Sequence, residues 1–299
     1  MPRLKTESAK KSLLRRVRRQ RLNYIAILPS LVTIRNGVCG FTAIIFAGKD
    51  PNGIGLYSCY AIAGYLVILA MVADMIDGRL ARMNKSTSSF GGQLDSLCDI
   101  ISFGVAPAFL MLKVLEYELV QASMGDGKLF HRFIWLAGAA YISCAAIRLA
   151  RFNDENEEDE SAHMSFIGLP TPAAAGVIVS LIIFHQDTLP EVLDENGIAY
   201  ALCESAIMFA LPVIVLSVAL LMVSRFRYPH VLNQYLKGKK PFAQLIKAVL
   251  VVVFAFWQLP AALMLVFCGF AGSSVAKRLY YLVIKSQTPD VSAKVEAPE

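Results

Sequence analysis

Two short stretches of this chain of 299 residues place carboxylates inside apolar surroundings. Asp74-Met75-Ile76-Asp77-Gly78-Arg79-Leu80-Ala81-Arg82 closes one apolar run, and Gly91-Gly92-Gln93-Leu94-Asp95-Ser96-Leu97-Cys98-Asp99 opens the next. Ionisable residues in such runs are costly and mark function. Asp74 and Asp77 are three residues apart and Asp95 and Asp99 four apart, so each pair occupies one helix face. The short connection makes the two helices antiparallel neighbours and brings both pairs to the same depth. Four carboxylates at one point cannot all stay ionised uncompensated, and Asp74 and Asp77 also meet the unfavourable end of a helix dipole. Bound cations remove both penalties. An all-oxygen donor set suits Mg²⁺ or Mn²⁺, and a carboxylate quartet suits a two-metal arrangement.

The elements that position these residues are membrane spans. The chain is 56% hydrophobic and 17% charged, with mean hydropathy +0.53; a soluble domain carries roughly 25% charged residues. A crossing helix needs about 20 apolar residues. The apolar runs and their breaks predict an all-α polytopic membrane protein of about eight spans, near 28–48, 57–80, 92–113, 132–151, 169–186, 198–224, 242–257 and 259–284. The seventh depends on a tight turn at Trp257-Gln258-Leu259-Pro260. Lys and Arg collect on one side of this arrangement. Of 29 such residues only Lys49, Lys113, Lys128 and Arg132 fall on the other. The asymmetry predicts an even number of spans, with both termini and the aspartates on the cytoplasmic side.

No cleavable signal peptide is visible, so the first apolar run is expected to remain as an anchor. The basic run within residues 1–23 reads as a juxtamembrane helix on anionic headgroups rather than a nucleic-acid arm. Residues 24–186 form the expected catalytic membrane core, 187–286 carry the additional spans, and 287–299 form a polar, disordered tail. The six cysteines fall singly in or beside apolar runs and read as buried small residues. His131, His163, His185 and His230 show no ligand spacing and are left out of the site. Asp154 to Glu160 reads as a solvated loop.

The fixed positions Asp74, Asp77, Gly78, Ala81, Arg82, Gly91, Asp95 and Asp99 spell D-x-x-D-G-x-x-A-R-x8-G-x3-D-x3-D, and the chain thereby resembles the CDP-alcohol phosphatidyltransferases. The resemblance implies that family's fold and a CDP-linked lipid donor. It assigns Asp74, Asp77, Asp95 and Asp99 to divalent metal, Mg²⁺ or Mn²⁺ and two ions in number, with Asp99 also the catalytic base. Gly78 would let the nucleotide approach the helix, and Arg82 would pair with a phosphate oxygen. Ser88, Thr33 and Asn36 are further contacts to CDP-diacylglycerol, the last two from the first-helix pattern Pro29 to Gly37.

Ile101 to Ala108, Arg148-Leu149-Ala150-Arg151-Phe152-Asn153 and Phe166 to Gly176 resemble the integral-membrane phosphatidylserine synthase branch of that family. The expected reaction is CDP-diacylglycerol plus L-serine giving phosphatidylserine plus CMP, in the bilayer, by a homodimer. Arg148 and Arg151 are the candidates for holding the serine carboxylate. Gly168 to Pro172 reads as the break opening the fifth span, followed by a small-residue packing face. Two rivals stand beside this reading. One is the same chemistry on glycerol 3-phosphate or an inositol phosphate; the other is an ion-coupled transporter, which predicts carboxylates at mid-membrane.

Overall fold

The computed structural model describes residues 33–50, 58–84, 89–121, 128–158, 165–194, 197–224, 227–229 and 258–287. Nine α-helices account for nearly all of them: α1 Thr33–Ala47, α2 Cys59–Asn84, α3 Ser89–Asp99, α4 Ala106–Gln121, α5 Lys128–Glu158, α6 Thr171–Ile183, α7 Leu189–Val192, α8 Ile198–Val223 and α9 Leu259–Gln287. Among the described residues five segments are long and apolar enough to cross a membrane: Cys59–Ile76, Gly91–Val120, Lys128–Asp154, Thr171–Val192 and Ile198–Val223. Thr33–Ala47 and Leu259–Ser273 are shorter apolar helices. The protein is an all-α, multi-pass membrane protein, with helix at seven of the eight expected spans. The basic segment 1–23, the span at 242–257 and the tail beyond Gln287 lie outside the described residues.

Two departures from the expected elements have local causes. The acidic stretch after Arg151 continues α5 as far as Glu158 rather than leaving as a loop; it holds no Gly or Pro, and Glu is a good helix former. The chain also makes one small ribbon, Ser165–Ile167 (β1) antiparallel to Arg227–Pro229 (β2), with Phe166 opposite Tyr228. Gly168, at φ 82, then reverses the chain into α6, a conformation that costs glycine nothing. Pro170 and Pro172 bracket the first residue of α6, as the break at Gly168 to Pro172 predicts.

Two rods are interrupted by π-helix, and in each a proline lies two residues beyond the widened turn. Ile100–Val105 joins α3 to α4 ahead of Pro107, and Phe184–Thr188 joins α6 to α7 ahead of Pro190. Proline has no N–H to offer the carbonyl four residues back and crowds it sterically. The Phe103 carbonyl, which an α-helix would pair with residue 107, instead accepts the buried Tyr141 hydroxyl at 2.8 Å. This bond sits at mid-bundle among Phe103, Leu110, Met111, Tyr141 and Ile178, all 0% exposed.

Side-chain contacts sort the bundle into two ends. At one end Arg148 Nε donates to the Leu169 carbonyl at 3.0 Å, Arg151 Nη1 to the Val223 carbonyl at 3.4 Å, and the Ser96 and Asn153 side chains lie 2.8 Å apart. At the far end Tyr60 Oη donates to the Lys113 carbonyl at 3.2 Å and Tyr65 Oη to Asp187 at 2.9 Å. The aspartates belong to the first end.

Candidate active site

Three helices bring the site together. Asp74 lies in α2 ten residues before its last residue, Asn84, Asp95 lies within α3, and Asp99 closes α3 just before the π-helical turn. One carboxylate oxygen from each lies within 4.8 Å of the other two. Asp99 is 8% exposed, and Asp74 and Asp95 are half-buried. Ionised carboxylates at such separations repel by roughly 3–4 kcal/mol per pair at an effective dielectric near 20.

The third helix is α1, which lies against the π-helical turn because Gly40 leaves room for it. A Cβ at Gly40 would stand 2.6 Å from the Ser102 Cα. The Ser102 hydroxyl donates to the Asn36 carbonyl at 2.9 Å. This contact seats Asn36, 0% exposed, with its Nδ2 donating to Asp99 Oδ1 at 2.8 Å. Asn36 therefore orients the carboxylate at the centre of the cluster. Its own Oδ1 is buried with no hydrogen-bond partner. Carboxylate oxygens crowded within 4.8 Å beside an orphaned amide oxygen are a hard, all-oxygen donor set, and they fit a divalent cation.

The structure brings together Asp74, Asp95, Asp99 and Asn36, and places Thr33, buried, one turn before Asn36 on α1. Gly78 follows Asp74 on the same helix by about one turn. Asp77 and Arg82 lie on α2, but their side chains are outside the described residues, as is Ser88 entirely. Arg148 and Arg151 reach this end of the bundle from α5, each with one nitrogen on a backbone carbonyl, and Arg148 also covers the Phe152 ring at 5.6 Å. His185 is not part of this site. The bond from Asn36 to Asp99 spans 63 residues; the sequence pattern marked Asn36 but carried no sign of its partner.

The comparisons agree with this geometry. The profile of the CDP-alcohol phosphatidyltransferase family matches residues 26–216, which include every residue of the cluster. The chain is 32% identical over 209 residues to a Helicobacter pylori protein named CDP-diacylglycerol–serine O-phosphatidyltransferase, covering 70% of this chain and 74% of that one. A Bacillus subtilis protein of the same name is 29% identical over 209 residues, 70% of this chain and 92% of its own length. A Methanocaldococcus jannaschii protein, also of that name, is 37% identical over 114 residues, 38% of this chain and 47% of its own. With the aspartate signature, its three-helix setting and a matching profile over most of its length, the chain belongs to the CDP-alcohol phosphatidyltransferase family of membrane enzymes.

Proposed function

We propose that the protein transfers the phosphatidyl group of CDP-diacylglycerol to the hydroxyl of L-serine, giving phosphatidylserine and CMP. The observation that carries this reading is the convergence of Asp74, Asp95 and Asp99 with Asn36 fixed on Asp99. The names of the relatives support serine as acceptor. Mg²⁺ or Mn²⁺ held by Asp74, Asp77, Asp95 and Asp99 would neutralise the donor diphosphate and the charge gathering on CMP.

The remaining work falls to this chain's own side chains. Asp99, steadied by Asn36, takes the proton of the attacking serine hydroxyl. The serine oxygen forms a bond to the lipid-side phosphorus as the bond from that phosphorus to the CMP oxygen breaks. Thr33, Gly78, Arg82 and Ser88 are the donor contacts, with Arg82 suited to a phosphate oxygen. Arg148 and Arg151 hold the serine carboxylate. The distribution of Lys and Arg supports a cytoplasmic site. Work as a homodimer rests on the family resemblance alone.

The test is CMP release by purified protein given CDP-diacylglycerol and Mn²⁺ or Mg²⁺, with L-serine, glycerol 3-phosphate or an inositol phosphate supplied separately. Release with serine alone is expected. Release only with another acceptor overturns serine and leaves the aspartate chemistry standing. No release with any acceptor from folded protein overturns the reading.

A further inference from the structure

At the far end of the bundle a second group of ligating side chains comes together. Glu118 lies near the end of α4, His185 in the π-helical turn after α6, and Glu204 in the second turn of α8. One ligand atom of each, including a ring nitrogen of His185, lies within 4.8 Å of the other two. These residues are far apart in the chain, so no local constraint gathers them. Nineteen residues separate Asp99 from Glu118 along one rod, about 28 Å at 1.5 Å per residue. That is nearly the thickness of a bilayer hydrocarbon core, about 30 Å. This group cannot serve the aspartate cluster.

The imidazole supplies a second, independent observation. His185 is 4% exposed, and its Nε2 is buried with no hydrogen-bond partner. A buried polar group without a partner is rare and calls for an explanation. Its other nitrogen, Nδ1, is engaged by the Gln186 amide at 3.0 Å, and Gln186 also hydrogen-bonds Glu118. His185 shares the lining of a small apolar cavity with Val114, Leu115, Ile182 and Met208. A 180° turn of the Gln186 amide would set its oxygen against Nδ1–H and leave the Nε2 lone pair for a ligand, with Glu118 exchanging the amide donor for the cation. A ligating histidine is ordinarily held in this way by its other nitrogen.

We propose that Glu118, His185 and Glu204 form a second metal site, for a borderline divalent cation of the Zn²⁺ class, joining α4, α6 and α8 at the end of the bundle away from the aspartates. The donors separate the two sites chemically. Imidazole with carboxylates suits Zn²⁺ and its transition-metal neighbours, whereas oxygen alone suits Mg²⁺ and Mn²⁺. With Nε2 turned to the two glutamates, a cation here would satisfy the orphaned nitrogen and offset their charge. Because it binds the folded arrangement of three helices, it also raises thermal stability by mass action.

The experiment uses full-length protein purified without a polyhistidine tag, stripped with chelator, exposed to Zn²⁺ and desalted, with bound metal measured by mass spectrometry. About one Zn²⁺ per chain is expected in the wild type and equally in an Asp95→Asn/Asp99→Asn variant, with a higher thermal midpoint than the stripped protein. His185→Ala is expected to weaken retention at least about tenfold and to remove the Zn²⁺-dependent rise in midpoint. Should that variant not fold, Glu204→Gln and His185→Gln are read in the same way. No retention by wild type, retention indifferent to His185 and Glu204, or loss in the aspartate variant each overturns the proposal. None of these results bears on CMP release, so its failure and that of the serine reading are told apart.

Discussion

The two ends of the bundle are built alike and read differently. Each gathers acidic side chains from separate helices beside a π-helical turn that precedes a proline. Among the described residues, one end gathers three aspartates and a buried amide, and the other two glutamates and an imidazole. The first set is hard and crowded with charge, suited to ions such as Mg²⁺ or Mn²⁺. The second contains one nitrogen of fixed direction and suits an ion that holds helices together. The difference teaches that a widened helical turn supplies only the placement. The chemistry comes from which atoms are placed there, and how many of them carry charge.

Substitutions that hit turnover at one end and metal-linked stability at the other would sharpen this contrast. The largest effect belongs to Asp99→Asn, expected to lower CMP release by about 10²–10⁴-fold in protein that still elutes as a folded species. Wild-type turnover in that variant would remove Asp99 as the base. Gly40→Val comes next. Its added methyl groups drive α1 from Ser102 and carry Asn36 off Asp99, so activity should fall with a drop in thermal midpoint.

Asn36→Ala separates orientation from packing. It is expected to lower kcat by about ten- to a hundredfold, in the manner of supporting residues around metal ligands, while KM for serine stays near the wild-type value. An effect on KM alone would make Asn36 a substrate contact and not a positioning residue. The smallest effect lies between the two ends. Tyr141→Phe leaves the Phe103 carbonyl buried without a donor and should cost about 1–3 kcal/mol of stability with kcat little changed. A large loss of turnover there would show that the π-helical turn itself tunes the aspartate end, and the comparison would need redrawing.

How much could be read in advance depended on distance along the chain. Asp95 and Asp99 share a face because four residues make about one helical turn, and the short connection back to Asp74 fixes the depth of both helices. Long apolar runs likewise predict spans, since a bilayer demands continuous hydrophobic length. Pro170 and Pro172 after Gly168 mark the start of α6 by the same local logic. The contacts that failed to announce themselves are those between remote partners. Asn36 meets Asp99 across 63 positions, and only the absence of a side chain at Gly40 lets the helices close far enough. The acidic end of α5 misled for another reason, because charge density resembles a loop while Glu remains helix-compatible.

His185 marks the limit most clearly. Nothing in its neighbours along the chain distinguishes it from a histidine without a role. Its meeting with Glu118 and Glu204 depends on how three separate rods cross. Sequence by itself determined the membrane class, the positions of most spans, and the gathering of Asp74, Asp95 and Asp99, because those features follow from local periodicity and the needs of the bilayer. Tertiary structure alone decided which amide holds Asp99, where Arg148 and Arg151 are tied, and that a second set of donors exists. These depend on helix crossings, and crossings are set by the packing of small residues and widened turns that no spacing rule encodes.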